Sequence, residues 1–229
     1  HTDLEKYLNV LDLKPDVQDK HNASELGNVI GRIEFKDIEF AYKQGNDIIK
    51  GLNLKIEPNQ SVALVGTSGA GKSTLVKLLL RFYDIQKGSI LVDGIDINDV
   101  TKSSLRAQIG LVPQEPVLFN DTIGYNIAYP NPNVSKQRII EAARLANLND
   151  FIEKLPDKYE TEVGERGIKL SGGQKQRLAI ARVFLADTPV VVFDEATSQL
   201  DSFSEKLIQD AFWRIAKNKT TIIIAHRLS

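Results

Sequence analysis

The chain has 229 residues, 26% of them charged, with a formal net charge of -1 and no cysteine. That balance offers no basic footprint for nucleic acid, and the missing thiols exclude disulfides and thiolate metal sites. No apolar run approaches the length of a bilayer span, no signal peptide opens the chain, and methionine is absent even at position 1, as expected of a piece of a longer gene product.

Residues 2–12 have the pattern of a short amphipathic helix, with Leu4, Tyr7, Leu8 and Leu11 on one face and a capping box from Thr2 and Glu5. Pro15 stops it. So short a helix needs a surface for its apolar face. That surface is either this domain or an upstream one to which the helix is a connector. Residues 16–31 are polar and have the composition of a linker. Residues 32–35 and 38–42 alternate apolar and polar side chains as half-buried strands do, and Tyr42 closes the second. With residues 48–56 and 89–94 they predict a small, mainly antiparallel sheet.

Ser61, Val62, Ala63, Leu64 and Val65 form a short apolar strand. Gly66, Thr67, Ser68, Gly69, Ala70, Gly71, Lys72, Ser73 and Thr74 follow as G-x-x-x-x-G-K-[ST], and residues 75–82 are helical in pattern. Strand, glycine loop and helix together make a phosphate cradle. Inward backbone N–H groups and a helix N-terminus favour an anion. Lys72 can reach the β- and γ-phosphates and the Ser73 hydroxyl can hold Mg²⁺. A plain glycine-rich turn is the alternative.

Residues 109–113 are a further buried strand leading into Gln114. Residues 120–187 have a mostly helical pattern, with Ile139, Ile140, Ala143 and Ala146 at helical spacing, and predict an inserted helical subdomain over about 115–187. Within it Leu170, Ser171, Gly172, Gly173 and Gln174 open a helix running to about Ala186. This is a second glycine-bearing N-terminus, with no lysine of its own. Residues 189–193 are continuously apolar and β-branched, as a central parallel strand would be. Asp194 and Glu195 follow directly, at the strand end that faces a ligand crevice in such sheets. There Asp194 can bind Mg²⁺ through a water and Glu195 can orient or deprotonate an attacking water. A helix over 204–217 and a strand over 220–225 ending at His226 complete an α/β domain with a parallel sheet.

In this order, Tyr42, Gly66 to Thr74, Gln114, Leu170 to Gln174, Val190 to Glu195, Ser198 to Asp201 and His226 resemble the nucleotide-binding domain of an ATP-binding-cassette (ABC) transporter, over nearly the whole chain after Gly31. The resemblance implies a P-loop NTPase (RecA-like) parallel-sheet core with an antiparallel β subdomain and an inserted α-helical subdomain. It also implies ATP and Mg²⁺ as cofactors. By position Tyr42 matches the aromatic residue that stacks on adenine, and Gly66 to Thr74 match the Walker A loop. Gln114 matches the Q-loop glutamine that contacts Mg²⁺ and senses a transmembrane partner. Asp194 matches Walker B, Glu195 the catalytic glutamate and His226 the switch histidine. Ser171, Gly172, Gly173 and Gln174 match the signature that completes the ATP site of a second domain, head to tail. The implied partners are therefore a second nucleotide-binding domain, identical or not, and a transmembrane domain, with no nucleic acid. The implied place is the cytoplasmic face of a membrane.

Residues 161–167, residues 81–84 and the 225–229 ending resemble multidrug-type exporters, and residues 118–123 with the form of the amino-terminal helix resemble the mitochondrial and heavy-metal-tolerance branch. Two features depart from the pattern. Gln199 stands where the D-loop usually has alanine, with Asp201 kept, and the chain ends three residues after His226 where family members continue through more strand and helix. The expected layout is a connector over 1–31 and a cassette over 32–229 that stops short of its usual C-terminus. The expected function is ATP hydrolysis that drives export. The alternatives are a soluble ATPase clamp of the DNA-repair or translation type, and a degenerate regulatory cassette, which the presence of Lys72, Gln114, Glu195 and His226 disfavours.

Overall fold

The computed structural model describes residues 15–43, 45–67, 69–164, 167–194 and 201–225. The expected helix over 2–12, Ser68, residues 195–200 with Glu195 and Gln199, and His226 lie outside the described residues.

The first layer is an antiparallel sheet in the order β2-β1-β4-β5, built from β1 (Ile33–Ala41), β2 (Asp47–Ile56), β4 (Lys87–Val92) and β5 (Ile95–Asp96). The two half-strands expected over 32–42 are one nine-residue strand, whose pairing with β2 is irregular between Phe35 and Ile38. The bulge leaves both Phe35 and Ile38 buried although they stand an odd number of positions apart, three.

The second layer is a parallel sheet, β3-β10-β9-β6, of β3 (Ser61–Val65), β10 (Thr220–Ala225), β9 (Val190–Asp194) and β6 (Ile109–Val112). β9 is covered on both faces, which is why its sequence does not alternate. Val191 and Phe193 face one apolar core, and Val190 and Val192 the other. The first core is roofed by α3 (Ile123–Ala128), α4 (Lys136–Leu145), α6 (Gly172–Ala186) and α7 (Ser202–Ala216). The second takes in the antiparallel sheet, α1 (Lys72–Leu79) and α2 (Lys102–Ala107). α5 (Asn149–Ile152) completes the described α-helices.

The stretch expected to be helical over 120–187 also holds a two-stranded antiparallel ribbon, β7 (Asp121–Thr122) with β8 (Glu162–Val163). Both strands are two residues long, too short for periodicity to register.

Residues 16–31 do not behave as a free linker. Ser24 bridges Val100, and Leu26 N donates to Ser104 Oγ at 2.8 Å. The Ile30 and Arg32 amides both donate to the Asp93 carboxylate, at 2.6 and 2.7 Å. Arg81, just past α1, is buried and reaches Gln18 O and Asp19 Oδ1 at 3.2 and 3.3 Å. Polar composition identified a segment without secondary structure of its own, and its backbone groups are met by side chains of the body instead.

Candidate functional site

The parallel register places the C-terminal ends of all four central strands along one edge. Val65 pairs Ala225, Asp194 pairs Ile224, and Val112 pairs Phe193. The chain therefore leaves the edge as the glycine loop after β3, as Gln114 after β6, and at Asp194 on β9. At about 4.8 Å per strand the loop and Asp194 stand roughly 10 Å apart across β10, with Gln114 one strand further on.

The glycine loop is shaped for an anion. Gly69 and Gly71 have φ of 82° and 86°, where side chains are strained. A Cβ on Gly71 would also lie 3.1 Å from Ile48 Cγ2. Gly71 caps α1 and leaves its first turn without a side-chain acceptor. The other described helices of six or more residues all have one, from Thr101, Thr122, Ser135, Ser171 and Asp201. An uncapped first turn presents N–H groups and the positive end of the helix dipole to whatever lies in the loop.

Lys72 is buried, its Nζ donating to Gly66 O at 2.7 Å and Thr67 O at 2.9 Å. Those bonds hold the ammonium over the loop and leave one of its three protons for a ligand. Ser73 and Thr74 follow on the first turn of α1, and the buried Thr74 pairs its Oγ1 with the Tyr42 hydroxyl at 3.2 Å. Tyr42 stands edge-on to Phe40 and Tyr83, centroids 5.0 and 4.9 Å away, with Lys77 Nζ 5.9 Å from its ring. Tyr42 is still 42% exposed, so part of its surface is open to solvent beside the loop. The structure thus brings together Tyr42, the described loop residues, Gln114 and Asp194.

The second glycine-bearing helix start is elsewhere and is built differently. Ser171 Oγ accepts from Gln174 N, and Gln174 Oε1 accepts from Ser171 N at 2.7 Å, a closed capping box. The Gln174 side chain is therefore engaged with its own helix. A Cβ on Gly173 would stand 2.8 Å from Ser204 Cβ and Oγ, so this glycine also lets the starts of α6 and α7 touch. Asp201 caps α7, accepting from Ser204 N at 2.9 Å, and that bond holds its carboxyl below the ordinary value.

Three residues no motif singled out hold this site in place. Gln176 and Arg182 on α6 bond the backbone that follows β6. Gly110 in β6 lets that strand lie against α6, since a Cβ there would meet Val183 Cγ1 and Thr188 Oγ1 at 2.5 and 2.7 Å. A glycine inside a continuous apolar strand was the available signal.

A parallel sheet flanked by helices, an antiparallel sheet on one side and a glycine loop leading into an uncapped helix define an ABC-type P-loop ATPase domain. The family model for ABC transporter matches residues 49–198. The chain is 49% identical over 225 residues to an ATP-dependent lipid A-core flippase of Syntrophus aciditrophicus, covering 98% of this chain and 37% of the relative. It is 48% identical over 227 residues to the heavy metal tolerance protein of Schizosaccharomyces pombe, covering 99% and 27%. A solved structure of a bacterial Atm1-family ABC exporter with ATP bound superposes with a TM-score of 0.92 at 48% identity, covering 99% of this chain and 40% of that one. The chain belongs to the ABC transporter family, and besides the flippase its relatives include a heavy metal tolerance protein, a putative multidrug export ATP-binding/permease protein of Bacillus subtilis and an Atm1-family ABC exporter. It spans between a quarter and two-fifths of the length of these relatives.

Proposed function

We propose that this domain binds ATP with Mg²⁺ and hydrolyses it to drive export through a transmembrane domain, working as a head-to-tail pair with a second nucleotide-binding domain. The observation that carries the reading is the uncapped first turn of α1 with the Lys72 ammonium held above it. The first turn and Lys72 take the phosphates, and the partly exposed ring of Tyr42 takes the adenine. Among the described residues no group of three or more His, Cys, Asp or Glu could hold a metal ion. Ser73, Gln114 and Asp194 supply too few protein oxygens for a closed cage, which suits Mg²⁺, an ion that keeps waters and phosphate oxygens as ligands. When bound, Mg²⁺ would neutralise charge that develops on the phosphate oxygens.

Glu195 is the general base in this reading, and His226 and Gln114 position the reacting groups. Ser171, Gly172, Gly173 and Gln174 serve the partner's site, and Asp201 carries the D-loop contact. The division into a connector over 1–31 and a cassette over 32–229, with a helical block over about 115–187, belongs to the same proposal. So does a working place at the cytoplasmic face of a membrane. Among the described residues no helix is long and apolar enough to cross one.

Glu195→Gln should bind ATP normally and hydrolyse it at least ~100-fold more slowly, the size of effect expected for a lost general base. Near wild-type turnover would remove Glu195 from that role. Lys72→Ala should weaken ATP binding itself, and unchanged affinity would refute the cradle. Export predicts about six apolar spans encoded upstream of His1.

A further inference from the structure

Gln176 sits on α6 two residues past Gln174 and is only 4% exposed. Its Nε2 donates to the carbonyls of Pro113 and Gln114, at 3.1 and 2.5 Å, while its Oε1 is buried without a partner. The amide orientation is dictated by chemistry, because turned over it would set Oε1 against two carbonyl oxygens.

Further along α6, Arg182 donates to Val117 O at 2.8 Å, Asn126 O at 2.7 Å and Asn126 Oδ1 at 2.9 Å. Asn126, fully buried, accepts from Phe119 N and donates to Phe119 O. Residues 113–119 form neither helix nor strand. Their main chain is therefore hung on α6 at 113, 114 and 117 and on Asn126 at 119. Just upstream, β6 touches α6 at Gly110.

We infer that Gln176 is a positioning residue: it fixes the main chain of Gln114 to α6, so that Gln114 and the Ser171 end of that helix move as one body. Gln176 lies five positions after Ser171, about 7.5 Å along a helix. An α-helix transmits displacement over that length without internal adjustment. A single amide bound to two successive carbonyls fixes the orientation of the Gln114 peptide as well as its place. Because the amide is buried, water cannot stand in for it. Occupancy of the Ser171 end by the partner's nucleotide is then felt at Gln114 in this chain's own site. This consequence rests on the ATPase reading, whereas the tether itself does not.

Hydrogen exchange on the nucleotide-free 229-residue chain tests the tether. Gln176→Leu should speed exchange of the Phe119 amide, which donates to Asn126 Oδ1 at the far end of this stretch, about tenfold while leaving α7 unchanged, the loss of roughly one buried hydrogen bond. Unchanged exchange at Phe119 overturns the tether. Gln176→Asn, which withdraws the amide by one methylene, should give the same pattern and serves if the leucine variant does not fold.

A double-mutant cycle on ATP hydrolysis tests the route of action. Gln176→Leu should lower kcat about tenfold with the KM for ATP within about twofold, and the double variant with Gln114→Ala should be no slower than the slower single. Losses that multiply, or an unchanged kcat, show that Gln176 does not act through Gln114. A wild-type chain that hydrolyses no ATP counts against the ATPase reading, and exchange still decides the tether.

Discussion

Arg81→Leu is the sharpest test of how residues 16–31, a strap along the body of the domain, are held. The guanidinium is 3% exposed, and its Nη1 donates to Ile97 O at 3.1 Å and Val100 O at 2.9 Å, both on buried residues. Leucine fills much of the aliphatic volume but satisfies neither carbonyl. At about 1–3 kcal/mol for each buried acceptor left without a donor, the loss is roughly 2–6 kcal/mol. The bonds to Gln18 and Asp19 add little, because water reaches both positions. For a chain of this size each kcal/mol lowers Tm by about 2–4 °C, so the variant should melt roughly 5–20 °C lower.

Circular dichroism gives the melt, and hydrogen exchange follows the strap amides of Ser24 and Leu26, which bond Asp99 O and Ser104 Oγ. Both amides should exchange faster while β9 keeps its protection. A Tm within about 2 °C of wild type, or strap amides exchanging as before, would show that Arg81 is not what anchors the segment.

Gly110→Ala drives a methyl into Val183 and Thr188, and overpacking of this kind should cost about 1–3 kcal/mol by denaturant titration; an unchanged midpoint would mean that β6 and α6 are free to separate. Tyr159, buried with its hydroxyl donating to Asn149 Oδ1 at 2.7 Å, has its pKa pushed up from 10.0 to about 12 by burial first and by Glu153 second. A raised folded-state value gives stability that is complete below pH 10 and is lost as pH rises toward 12. Thermal melts across that window should therefore show a fall in Tm that Tyr159→Phe lacks, and identical alkaline profiles would refute the assignment.

Periodicity and punctuation sufficed for elements whose burial is one-sided or complete. β10 was expected over 220–225 and spans Thr220–Ala225, and the apolar run after Pro189 is the twice-covered β9. The glycine loop was legible because each constraint on it is local: two glycines at positive φ, and a lysine five or six residues from the carbonyls it bonds. What composition could not show were bonds between distant residues. Arg81 to Gln18, Arg182 to Val117 and Gln176 to Pro113 each join positions more than sixty apart. Nothing in a window of ordinary width distinguishes these side chains from surface arginines and glutamines. Tyr42 shows the reverse case. Its place at the end of a strand allowed an ordinary tyrosine, and its hydrogen bond to Thr74 puts it beside the loop.

The strand order β3-β10-β9-β6 has a consequence for how the domain comes into being. β10 is the last of these strands to leave the ribosome, yet it sits between β3 and β9 and pairs with both. Until residues 220–225 are made, the strand that carries the glycine loop has no neighbour in its sheet, and one edge of β9 stays bare. The strand and its loop therefore wait through more than 150 residues of synthesis, a delay that favours slow closure and exposes apolar edges to aggregation. Nascent chains released before Thr220 should need chaperones most, and nucleotide protection of the chain should begin only once β10 has slotted into place.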